Sequence, residues 1–194
     1  MSTSRRSTDT FESAAVLYNS PEALSIGGSS SGYNFTGYLD EFRISKGVAR
    51  WTSTFSGSLP STPYTSSSGI DSYTKLMLHF DSDKGVTGHN ITFNGDMDFN
   101  PTINKFRSGN NGYGSFYFDG TGDYVSITSN EDWNFGSGDF TIDCWFYVPN
   151  VTGNKTIIAG NTDFWMGMLL LGNFISGELA LRESMYASAK SSTR

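Results

Sequence analysis

From Phe140 to Val148 the chain alternates without a slip. Phe140, Ile142, Cys144, Phe146 and Val148 fall on one side; Thr141, Asp143, Trp145 and Tyr147 fall on the other. A period of two marks a strand with one face in a core, and it excludes a helix, whose apolar stripe recurs every third or fourth residue. Similar runs recur at short intervals, at Lys75–Asp81, Asn90–Asn94, Gly114–Asp119, Tyr124–Thr128, Lys155–Gly160, Phe164–Leu171 and Glu178–Arg182. Turn chemistry divides them: Asn94-Gly95, Asp119-Gly120, Ser137-Gly138, Asn150, Gly153, Gly172 and Gly177. Many short strands with regular turn residues and little helix predict an all-β sandwich or jelly roll.

The part before residue 75 reads differently. Residues 1–12 form a polar arm, Ser13–Tyr18 and Ala23–Ile26 read as short strands, and Gly27–Gly37 is a loop. Tyr38–Ile44 then alternates, with Leu39, Glu41 and Arg43 on one side and Tyr38, Asp40, Phe42 and Ile44 on the other. Apart from Asp40 the second set is apolar, so it is expected to face the core. Val48–Trp51 is expected to form one helical turn. Phe55–Tyr73 is rich in Ser, Thr and Gly and holds Pro60 and Pro63, a composition that cannot run through a central strand. The expected division is therefore 1–54, a linker at 55–74, 75–183, and a Ser/Ala-rich tail at 184–194 that is frayed helix or unstructured.

Composition narrows the function. Net charge is −6, and no basic run exists beyond Arg5-Arg6, which argues against nucleic acid as a partner. Charged residues are only 16 % and aromatics 15 %, as suits half-buried strands. The longest apolar stretch, Phe164–Leu171, is far short of the ~20 residues a membrane helix needs, so no membrane insertion is expected. Met1–Thr10 lacks the apolar core of a signal peptide. A protein of this kind found outside a cell would leave by lysis, by another secretion route, or within a longer precursor. The single cysteine, Cys144, sits in a strand run and reads as a small buried hydrophobe.

Catalytic constellations are missing from the sequence. Sugar cleavage needs two carboxylates about 5–10 Å apart across the scissile bond. On a strand that means a Glu-x-Asp-x-Glu spacing, and none occurs: Glu131 and Asp132 are adjacent and Glu178 stands alone. No Ser-His-Asp set, phosphate loop or zinc spacing occurs either, so the chain is expected not to be an enzyme. For ligand stacking, Trp165 near Asn161 and Asp163 is the candidate carbohydrate site, an indole for a sugar face beside polar groups for its hydroxyls.

Several motifs resemble one family. Thr36–Trp51, TGYLDEFRISKGVARW, looks like the closing strand of the laminin-G-like, concanavalin A-like lectin/glucanase superfamily. Leu76–Asp81, LMLHFD, looks like its opening strand; Ser115–Ile127 resembles its early hairpin, and Asp132–Phe146 the strand that follows. The order closing strand, Ser/Thr/Pro linker, opening strand is similar to that of tandem modules in virion and tail proteins of marine bacteriophages. The resemblance implies a concanavalin A-like jelly-roll β-sandwich whose closing motif precedes its opening motif. Three arrangements stay open: a piece spanning two modules, one circularly permuted domain, or halves that complete neighbouring subunits. It also implies a structural Ca2+ near the opening and closing strands, with Asp40 and Asp81 facing each other as oxygen ligands; the alternative is that both are turn-capping or solvated carboxylates. The function expected is a non-enzymatic structural or decoration protein of a virion or cell surface, extracellular or in the virion, with capacity for glycan adhesion and with itself or other surface proteins as partners. The alternative is a carbohydrate-binding module, calcium-dependent or not, of a larger secreted protein.

Overall fold

Strand alternation and glycine turns organise the chain into two antiparallel sheets. The computed structural model describes residues 23–28, 34–51, 60–67, 69–81, 88–106, 113–136, 138–149, 154–160, 165–169 and 183–189. The strands are β1 Leu24–Ile26, β2 Thr36–Lys46, β3 Thr74–Leu78, β4 Ile91–Asn94, β5 Asp98–Asn100, β6 Ser115–Asp119, β7 Tyr124–Ile127, β8 Phe140–Tyr147, β9 Asn154–Gly160, β10 Trp165–Leu169 and β11 Glu183–Ala189. A single 3-10 turn, Glu131–Trp133, is the helical element among the described residues. None of their helices is long and apolar enough to cross a membrane.

The first sheet runs β10-β9-β1-β7-β4 and the second β11-β8-β2-β6-β5, with β3 also paired to β2. β2 is long enough to carry two partners on one edge. Thr36–Leu39 pairs with β6, while Phe42–Ser45 pairs with β3. Both leading strands are interior: β1 lies between β7 and β9, and β2 has β8 on its other edge. Residues 24–46 and 74–160 therefore build the same two sheets.

The sheets pack face to face as a sandwich, since one apolar cluster draws on both. Leu24, Ile26, Val125, Ile127 and Ile157 from the first sheet meet Leu39, Phe42, Ile44, Phe118, Ile142, Cys144 and Phe146 from the second. Each such side chain contributes about 1.5–3 kcal/mol by leaving water. Trp133 closes the cluster near the 3-10 turn at 3 % exposure, its indole N–H donating to the Thr128 carbonyl at 3.0 Å.

Three expectations change. Val48–Trp51 is not helical; it is irregular, with a bend at Arg50, and Thr141 on β8 holds it, accepting from the Arg50 N–H and donating to the Val48 carbonyl. Ser184–Ala189 lies in the expected tail yet belongs to a strand, Glu183–Ala189, paired with Phe140–Phe146 of β8. The short strand β5 was not foreseen; it exists because Asn94-Gly95 turns the chain from the first sheet to the second. The expected strands at 13–18 and 178–182 lie outside the described residues.

Candidate functional site

The alternation read for β2 breaks in its middle. Asp40 pairs with Trp145, but the next β8 partner, Asp143, faces Arg43, so β2 holds one extra residue. This is a β-bulge, and it reverses which side chains face in. Leu39 points into the core before it, Phe42 and Ile44 after it. Tyr38, Asp40 and Arg43 share the opposite, outer face. Glu41 carries the distortion, with φ 51 in the left-handed region, a conformation that costs a glutamate of order 1 kcal/mol or more.

What holds Glu41 there is its surroundings. Its N–H donates to the His79 carbonyl at 3.3 Å. One carboxylate oxygen accepts the Tyr64 N–H at 2.8 Å, and the other lies 2.8 Å from His79 Nδ1. Beside it, Arg43 donates from Nε to Asp143 at 3.0 Å, from one terminal nitrogen to the Gly69 carbonyl at 2.7 Å, and from the other to the Tyr64 hydroxyl at 3.1 Å. Tyr64 donates in turn to the second Asp143 oxygen at 2.6 Å, and its ring lies 3.8 Å from the Arg43 guanidinium carbon. Gly69, at φ 92, must be glycine, because a Cβ there would meet the Tyr64 ring. Burial raises the Asp143 carboxyl, with Arg43 opposing it, and burial together with the Asp143 charge raises the Tyr64 hydroxyl.

Next to this network is a narrow recess lined by Asp40, Glu41, Pro63, Asp81, Asn104 and Tyr113. Asp40 is 3 % exposed and accepts the Lys105 N–H at 2.8 Å; Asp81 accepts the Gly114 N–H at 2.8 Å. Burial first, then the charges of Glu41 and Asp81, push the Asp40 carboxyl well above the usual carboxylate range. Glu41, His79 and Asp81 offer ligand atoms within 4.8 Å of one another. Asn104 turns a buried side-chain oxygen here that no described group satisfies. The carboxylates of Glu41 and Asp81, with that of Asp40 and the Asn104 amide oxygen in the same lining, are hard oxygen donors of the kind Ca2+ takes, and the His79 nitrogen is a softer one; such a group could hold a cation.

Asp40 and Asp81, singled out by the resemblance, thus line one recess with Glu41 and Asn104, and His79 lies beside Glu41 and Asp81. The strand period hid Glu41, grouping it with Leu39 and Arg43 because a bulge leaves no mark on alternation. His79 reads as an ordinary strand residue between Leu78 and Phe80, and nothing in the sequence marks Asn104. The candidate carbohydrate residues are not brought here. Trp165 opens β10 at the edge of the first sheet, opposite Ala159, while Asn161 and Asp163 lie outside the described residues. A second acidic group, Asp96, Asp119 and Asp123, braces a turn: buried Asp123 accepts the N–H groups of Asp96 at 3.0 Å and Asp119 at 2.9 Å. No protein-family model, curated protein or solved structure matches the chain.

Proposed function

We propose that the chain is a non-enzymatic structural or decoration component of a virion or other extracellular surface, braced by Ca2+ and able to adhere to glycans. The observation that carries this reading is how the buried carboxylates are used. Asp40, Glu41, Asp123 and Asp143 each accept hydrogen bonds from a second chain segment, so they tie loops to strands instead of facing a substrate. In the recess, Asp40, Glu41, Asp81 and the Asn104 oxygen would hold the ion. Ca2+ supplies compensating positive charge there and links the β2 bulge to the ends of two loops.

A structural component assembles. Light scattering behind a sizing column, in CaCl2, is expected to give a defined oligomer or polymer. A mass that stays that of one chain at every concentration overturns the structural role. The Ca2+ brace has its own readout: melting temperature is expected to rise with CaCl2 and fall with chelator, and to stop responding in Asp81→Asn.

A further inference from the structure

The outer face of the second sheet is covered along most of its length. Tyr64 and Gly69 lie over Arg43 and Asp143. Lys105 and Phe106 lie over Trp145, with the Lys105 ammonium 4.0 Å and the Phe106 ring 5.9 Å from the indole. Trp145 is consequently 3 % exposed. Past Trp145 the cover by described residues gives way to tyrosines on three neighbouring strands: Tyr117 on β6, Tyr38 on β2 and Tyr147 on β8, in direct register. Ring centroids are 4.8 Å apart for Tyr38–Tyr117 and 5.9 Å for Tyr38–Tyr147, with tilts of 41° and 37°. All three remain partly exposed. Gly37, one residue before Tyr38, keeps the row tight, because a Cβ there would strike the Tyr147 carbonyl.

We infer that Tyr38, Tyr117 and Tyr147 form a stacking platform for the sugar rings of a neutral glycan, a site separate from Trp165. The inference rests on the glycan-adhesion part of the proposed function. A pyranose presents a C–H face that lies on an aromatic ring and hydroxyls that need donors and acceptors at the rim. Tyrosine offers both a rigid ring and a phenol, at low entropic cost. Acceptors flank the row: exposed Asp98 pairs with Tyr117 across β5, and exposed Asp119 follows two residues later on the same side of β6. Those carboxylates, with a net charge of −6, select against sulfated or phosphorylated ligands and against a second copy of the same acidic patch.

The test is calorimetric titration of the full chain, in CaCl2, with cellohexaose, laminarihexaose and mannohexaose. One of them is expected to bind, and Tyr117→Ala and Tyr147→Ala are each expected to weaken it about tenfold or more with unchanged melting. Tyr117→Phe, which keeps the ring, is expected to retain most of the affinity. Should Tyr147→Ala unfold, Tyr117→Ala near the sheet edge carries the comparison alone. Binding that survives Tyr117→Ala undiminished places the glycan elsewhere and overturns this site while leaving adhesion standing. No binding of any of the three overturns the site and adhesion together, and leaves the solution-mass result untouched.

Discussion

Arg43 and Asp143 show how a charged pair can be afforded inside a sandwich. Their side chains are 3 % and 6 % exposed, yet every charge faces a partner. Removing one partner is the costly change, because the other stays buried and uncompensated. Arg43→Met is expected to cost about 3–5 kcal/mol, and Tyr64→Phe about 1.5–3 kcal/mol, since Asp143 loses a charge-assisted bond. Urea midpoints at neutral pH measure both, and the double variant should cost less than the sum. Asp40 makes a second prediction, about pH. Its carboxyl binds a proton more tightly in the fold than in the unfolded chain, where its value is about 3.9. Its contribution is therefore fully present below that value and is lost as pH rises through the raised folded one. In chelator, melting temperature should climb as pH is lowered from neutral toward about 4.5. Asp143 acts in the same direction. Asp71, held down to about 2 by Arg50, acts oppositely but only below that window. In CaCl2 the slope should flatten or reverse, because the ion binds the deprotonated carboxylate. The same slope with and without Ca2+ would mean that Asp40 is no ligand.

At the scale of elements, the bulge in β2 decides the site. A regular strand would keep Leu39 and Phe42 on opposite faces, since side chains alternate. The extra residue lets both enter the core. Deleting Glu41 is expected to make β2 regular, with Leu39 and Phe42 two apart and still on the core face, but to lower the melting temperature and remove the Ca2+ response, because the carboxylate that accepts the Tyr64 N–H is gone. Glu41→Gly, which keeps the bulge and suits its positive φ, is expected to stay folded and to lose part of the Ca2+ response. A deletion variant that folds and melts like the parent would show that the bulge is incidental. The same element marks where sequence reading stops. Period-two alternation is a local property, so it located β8, β6, β7 and β9 within a residue or two. The bulge is imposed by partners remote in sequence, His79 and Tyr64 on one side and Asp143 on the other. Asp40 and Asp81 were legible as a pair only through the resemblance of their strands to the closing and opening strands of a known family. Glu41 looked like a solvated strand residue, and Asn104 acquires its meaning only when its loop folds over the sheet.

For the whole molecule, the consequence lies in how the leading segment is woven in. β1 and β2 hold interior places in the two sheets, each flanked by strands that follow later in the chain. Arg43 meets Asp143 across a separation of 100 residues, and Lys155 meets Thr36 across 119. Such pairings require closure of long loops before any contact forms, so refolding is expected to take milliseconds to seconds, as for other all-β sandwiches. The weaving also makes the two segments interdependent. Without β2, strands β8, β6 and β3 lose their common neighbour, and Phe118 and Ile142 lose the side chains between them. Fragments 1–59 and 60–194, separated within the Ser/Thr/Pro linker, are expected to lack fixed aromatic signals individually. Mixed in equal amounts, they should recover the near-ultraviolet spectrum and a cooperative melt. Recovery would mean that the linker only raises the effective concentration of two halves of one sandwich. A fragment 60–194 that folds alone would mean that the later strands can close the core by themselves. The leading segment would then be free to pair with the sheets of another copy, and the assembly predicted by light scattering would have a strand-exchange mechanism.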